Sequence, residues 1–73
     1  MKIKELIGKE VIDAEAKVLG VVKDVEVDVK KWMINSIVVK TGFVRKSIIL
    51  TDDIDKVGDK VVLKVTGNKI QKA

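Results

Sequence analysis

Cysteine, histidine and proline are absent from this 73-residue chain, and one tryptophan and one phenylalanine supply all of its aromatic side chains. Without cysteine there is no disulfide, and without histidine there is no imidazole metal site. Ser36, Ser47, Thr41, Thr51 and Thr66 have no histidine or cysteine beside which to act, and a hydroxyl needs an activating base to become a nucleophile. The chain is therefore expected not to be an enzyme, with no catalytic residue, no cofactor and no resident metal. The lack of proline leaves exposed strand edges to be protected by lysine or by closure of the sheet. No apolar run approaches the roughly 18 residues of a membrane span, and no signal-peptide pattern is visible. A soluble, cytoplasmic protein without direct membrane insertion is the expectation.

A chain this short forms one domain and buries roughly 60% of its unfolded surface, so its core is thin. Domains of this size usually need a staple, and the usual staples are missing. A homodimer would help, by burying an edge or a patch. With 47% hydrophobic and only 3% aromatic residues, the core must be almost wholly Val, Ile and Leu. Charged residues reach 36% with a net charge of +4. This lysine-rich, cysteine-free mixture is the habit of heat-adapted proteins, which makes a thermostable fold the expectation. The basic excess is mild and spread along the chain, whereas nucleic-acid binders more often cluster it.

Leu19 to Lys40 organises the rest. Leu19, Val21, Val25, Val27 and Val29 share one phase, interrupted only by Lys23, while Val22, Asp24, Glu26, Asp28 and Lys30 share the other. Side chains alternate between the faces of a strand, so this split predicts a half-buried strand. Met33 to Val39 returns antiparallel, and Lys30–Lys31–Trp32 lacks the Asn-Gly or Asp-Gly of a two-residue turn, which predicts a longer or bulged loop. Before this hairpin, Ile3, Leu6 and Ile7 predict one helical turn ended by Gly8, and Lys9 to Ala14 a strand. Glu15 to Gly20 reads as a turn in which Gly20 is free to take positive φ. After the hairpin, Phe43 to Leu50 is a strand. Thr51 or Asp52 caps a helical turn ended by Gly58. Val61, Leu63 and Val65 mark a last strand, and Thr66–Gly67–Asn68 a turn. The fold class is all-β: a small barrel of about five to six bent antiparallel strands with one or two short helical turns, spanning residues 1–68, with 69–73 a loose tail.

Leu6–Ile7–Gly8–Lys9–Glu10–Val11–Ile12–Asp13 resembles the opening of PRC-barrel domains. Leu19–Gly20, then Val22–Lys23–Asp24–Val25 and Asp28, resembles their second-strand signature, and Ile37–Val38–Val39 their third strand. Ile48 to Leu50, Asp53–Ile54 and Val57–Gly58–Asp59–Lys60–Val61 are similar to the closing portion. Many members have Gly near the position of Trp32, whereas short stand-alone archaeal members often carry Trp there. The resemblance implies a docking module. Such barrels occur in the reaction-centre H subunit and in the ribosome maturation factor, where the barrel contacts a ribosomal protein. Others resemble archaeal cell-division accessory proteins that bind the membrane anchor of the division ring. It carries over no catalytic residue.

Trp32, Met33, Phe43 and Val44 stand at predicted strand ends, outside the aliphatic alternation, with Arg45, the only arginine among fifteen basic residues, alongside. Two readings stay open: a lid on one end of the barrel, or a patch that docks a protein partner, since Trp and Met favour interface centres and the arginine fork suits carboxylates. Lys30, Lys31, Lys40, Arg45 and Lys46 are expected to converge around these aromatics, which is the chemistry of an RNA surface. Acidic Asp24, Glu26 and Asp28 in the same hairpin oppose that reading and rank it second. Those carboxylates have the spacing of a loose Mg²⁺ or Ca²⁺ site, but a solvated row paired across the sheet with lysine is preferred. Asp53 to Gly58 matches half of a calcium loop, yet Lys64 stands where its bidentate Glu belongs. A metal- or ligand-binding barrel therefore ranks third.

Overall fold

The computed structural model describes residues 1–43, 45–67 and the strand 71–72. A short helix α1 (Ile3–Leu6) leads into β1 (Glu10–Ile12), the long hairpin of β2 (Val18–Asp28) and β3 (Met33–Thr41), and β4 (Arg45–Leu50). A 3-10 turn, Thr51–Asp53, precedes the hairpin of β5 (Ile54–Val57) and β6 (Lys60–Leu63), and β7 is Gln71–Lys72. One sheet holds all seven strands in the order β5-β6-β1-β2-β3-β4-β7. All neighbours are antiparallel except β1 and β6, which run parallel with Val11 opposite Val61. That is the exception to the expected antiparallel barrel. It arises because the chain leaves one side of the sheet after β4 and re-enters at the other through β5.

That re-entry makes the sheet curl. In a flat sheet, the five strand spacings from β4 to β5 would separate them by about 24 Å. The step from Leu50 to Ile54 covers at most about 14 Å of extended chain. The sheet must roll toward closure, and the 3-10 turn lies across one mouth of the resulting open barrel, against β3. Among the described residues the outer strands β5 and β7 do not pair with each other.

Inside the curl lies the expected aliphatic core. Val11, Val22, Ile37, Val39, Ile49, Val61 and Leu63 are fully enclosed, α1 adds Leu6, and Leu19, Val25, Ile54, Val57 and Val65 pack around them. Four residues of helix cannot stand alone. Here α1 is held by backbone contact, the Gly8 N–H donating to the Val22 carbonyl at 2.8 Å and the Val22 N–H to that of Lys9 at 2.9 Å. Gly20 does adopt positive φ, at 149°, and its backbone lies so close to the Lys40 carbonyl that a Cβ would collide with it.

The expected phase of β2 is corrected. Val22, assigned by alternation to the polar face, is buried, whereas Val21, Val27 and Val29 are exposed. Lys23 is the extra residue of a bulge between Val22 and Asp24, and the register shifts again between Glu26 and Val27. The first shift moves the following β2 side chains to the other face, and the second leaves Asn35 as the extra residue of β3. The expected helical turn ending at Gly58 is also shorter than predicted. Only Thr51–Asp53 coil, Ile54–Val57 extend as a strand, and Gly58 sits in the β5–β6 hairpin. Of the expected tail, Gln71 and Lys72 pair with Ile48 and Ser47 of β4. Residues 69, 70 and 73, like Asn68 of the expected turn, lie outside the described residues.

Asp13, just past β1, is buried among backbone donors. Its Oδ1 accepts the N–H groups of Glu15 and Lys17, both at 2.9 Å, and its Oδ2 that of Gly67 at 3.0 Å. The Lys17 N–H, reinforced by those of Gly67 and Glu15 and opposed by burial, holds this carboxyl below its usual range. One side chain thereby ties the β1–β2 turn to the chain leaving β6.

Candidate docking surfaces

Trp32 closes the β2–β3 turn. Asp28 shapes this turn, its Oδ1 accepting the N–H groups of Lys30 at 3.0 Å and Lys31 at 3.3 Å. The chain then reverses with Trp32 at φ 52°, a left-handed conformation that costs a residue with a Cβ about 1–2 kcal/mol. Trp32 is 82% exposed, Met33 62% and Phe43 96%. None of them covers the barrel, so the lid reading is corrected: the mouth is spanned by the 3-10 turn and α1.

Met33 borders a cleft of ≈ 240 Å³ that also takes in Asp28, Lys31, Leu50 and Asp52. Beside it lies an apolar groove of ≈ 300 Å³ at the barrel mouth, between Met1 and Ile3 of the N-terminal segment and Ile54 and Val57 of β5. Ile34 and Thr51 line both, making one continuous surface. The groove was not foreseen. Its sequence signal is the exposed pair Met1, just before α1, and Ile3, at its start, whereas Leu6 of the same helix is buried.

Phe43 and Arg45 are elsewhere. They sit in and after the β3–β4 turn, where Arg45 pairs with Thr41, while Met33 begins the same strand that Thr41 ends. Nine residues of straight strand span about 30 Å, close to the 32 Å longest dimension of the molecule. The five expected contact residues therefore divide between two ends: Trp32 and Met33 at one, Phe43 and Arg45 at the other, and Val44 outside the described residues. The expected convergence of cations is corrected for the same reason. Lys30 and Lys31 precede Trp32 in one turn, whereas Lys40, Arg45 and Lys46 lie together at the far end of β3.

Nor do the β2 carboxylates meet lysine across the sheet. Asp24, Glu26 and Asp28 stand opposite Val38, Ser36 and Met33. Each has a local use instead: Asp24 accepts the Val25 N–H, Glu26 the Ser36 hydroxyl at 3.3 Å, and Asp28 the turn amides. Among the described residues no three acidic side chains gather as a cation would require, and no helix is long and apolar enough to cross a membrane.

A small, strongly curled β sheet with a short helix at its mouth agrees with the barrel that the resemblance implies, although it is open and has seven strands where five to six are expected, and the family model for the PRC-barrel domain matches residues 1–69. The chain belongs to the PRC-barrel domain family. PRC-barrel domains generally mediate protein–protein interactions, in keeping with a barrel whose most prominent side chains point outward. A comparison with curated proteins gives no match.

Proposed function

We propose that this PRC-barrel is a non-enzymatic, cytoplasmic docking module that receives a protein partner at its Trp32 end. The observation that carries the reading is an exposed Trp32 held in a strained turn between Lys31 and Met33, which line a cleft that runs through Ile34 and Thr51 into an apolar groove. Strained conformations persist at contact sites where the surroundings fix them, and an exposed Trp next to a concave apolar surface is the composition of an interface centre. The partner's apolar side chain enters the groove between Ile3 and Ile54, and Trp32 and Met33 close over its flank. The residue inventory supports the non-enzymatic part, because a chain without histidine or cysteine has few ways to activate a nucleophile. The finer reading rests on the family resemblance: the partner is the membrane anchor of an archaeal division ring. The RNA or ribosome-associated reading is weakened, since the five cations that motivated it divide: Lys30 and Lys31 are separated from Lys40, Arg45 and Lys46 by the length of β3.

Affinity capture from native extract tests this, comparing wild type with Trp32→Ala with and without nuclease. A discrete protein captured by wild type, lost with the variant and indifferent to nuclease is expected. Capture that survives the substitution, or that nuclease abolishes, contradicts the reading.

A further inference from the structure

The Phe43 end carries chemistry that the Trp32 end does not use. Lys40 on β3 stands directly opposite Lys46 on β4. Lys23, the bulge residue of β2, has no register partner on β3 and falls beside them, between Val22, paired with Val39, and Asp24, paired with Val38. Three ammonium groups are thus gathered on adjacent strands. Like charges directly opposite across a sheet are destabilising. The neighbouring Lys46 amine and its charge, with that of Lys40 added, make Lys23 easier to deprotonate than an ordinary lysine. Asp24, next to Lys23 in β2, opposes this weakly but makes no ion pair with them: among the described residues the one ion pair is Lys60–Glu10, at 2.6 Å. Arg45 and exposed Phe43 lie at the adjoining turn, and exposed Val21 lies opposite Lys40.

We infer that Lys23, Lys40, Lys46 and Arg45 form a second docking surface, which takes an acidic segment of a partner protein with Phe43 as its apolar anchor. A fold that concentrates mutually repelling cations on one face is relieved when carboxylates are placed between them. The size of the patch selects protein over nucleic acid. It spans three strands, about 10 Å across, and along β2 it gives way at once to Asp24, Glu26 and Asp28. Single-stranded nucleic acid occupies grooves about 4–16 nucleotides long, and a strand of that length would run onto these carboxylates. Two or three acidic side chains fit within the patch. Because the surface lies the length of β3 from Trp32, it is independent of the contact proposed there, and a barrel with both can bridge two partners.

Fluorescence anisotropy tests the inference with a short labelled peptide of alternating Glu and Gly carrying one central Phe, at low ionic strength. Wild type is expected to bind it, and added salt to weaken binding as exposed charges are screened. Losing the three exposed ion pairs, in the combined variant Lys23→Gln, Lys40→Gln and Lys46→Gln, should reduce affinity about tenfold. The same loss of charge at Lys4, Lys56 and Lys64 should leave affinity within twofold, roughly the error of such a titration. Removing repelling charges should leave the melting temperature unchanged or raised; if the combined variant does not fold, Lys46→Gln alone decides by weakening binding. Equal binding by the two triple variants would overturn the inference, reducing the effect to net charge. Tighter binding of an oligothymidylate that displaces the peptide would overturn it in favour of nucleic acid.

Discussion

Replacing Trp32 separates a contact residue from a structural one, and the structure fixes what each substitution should do to stability. Trp32 is 82% exposed. A fully buried aromatic of this kind removes 150–250 Å² from water, so the remaining fifth is about 40 Å², or about 1 kcal/mol at 25 cal/mol per Å². Both Trp32→Ala and Trp32→Gly lose that contribution. They differ in the backbone, because at φ 52° alanine keeps the left-handed penalty of about 1–2 kcal/mol while glycine escapes it. Trp32→Ala should therefore cost about 1 kcal/mol, a fall of roughly 4–8 °C in melting temperature for a domain this small. Trp32→Gly should lie within about 1 kcal/mol of wild type, and above the alanine variant. Thermal and urea denaturation followed by circular dichroism measures both. A loss of about 3–5 kcal/mol, the range for truncating a core aromatic, would refute the reasoning, as would glycine being less stable than alanine.

The core and the seams make further predictions. Ile37→Ala or Ile49→Ala removes a fully enclosed side chain and should cost about 2–5 kcal/mol, read as an earlier urea midpoint. Gly20→Ala drives a Cβ into the Lys40 carbonyl and should cost more than about 2 kcal/mol or abolish cooperative melting. Asp13 titrates below its ordinary range when folded, chiefly through the Lys17 N–H. Its stabilising contribution is therefore complete above the unfolded carboxyl value of about 3.9 and is lost as pH falls through the lower, folded value. Asp13→Asn should destabilise the protein at neutral pH and flatten the acid limb of its stability profile; an acid limb unchanged from wild type would contradict this.

Much of this was legible in the residues. The order of apolar segments gives the strands of the long hairpin, Gly8 follows the first helical turn, and Gly20 marks a real positive-φ position. The near-absence of aromatics foretold a core of Val, Ile and Leu, and the family motifs foretold the barrel. The failures were failures of counting and of distance. Period-two reasoning assumes an unbroken ladder, and the bulge at Lys23 breaks it, burying Val22 where alternation buried Val21. Lys23 as the lone interruption of the apolar phase was the visible trace of that bulge. The acidic neighbours of Ile54 to Val57 suit a helix start, but Ile54 and Val57 pack on the core as a strand. Trp32 and Phe43 both flank strands, which makes them look like one group in the sequence. Nothing local says that one strand separates them, and only the register of β3 places them at opposite ends.

The claim on which the account rests is that the Trp32 end is where this barrel is held by a protein partner. A photo-crosslinking amino acid placed at position 32, and separately at exposed Glu15 beyond the other end of β2 as a control, tests it in the cells that express the protein. The account predicts a discrete protein adduct from position 32 and none of that size from position 15. The same adduct from both positions, or none from position 32 while the barrel remains folded, would contradict it.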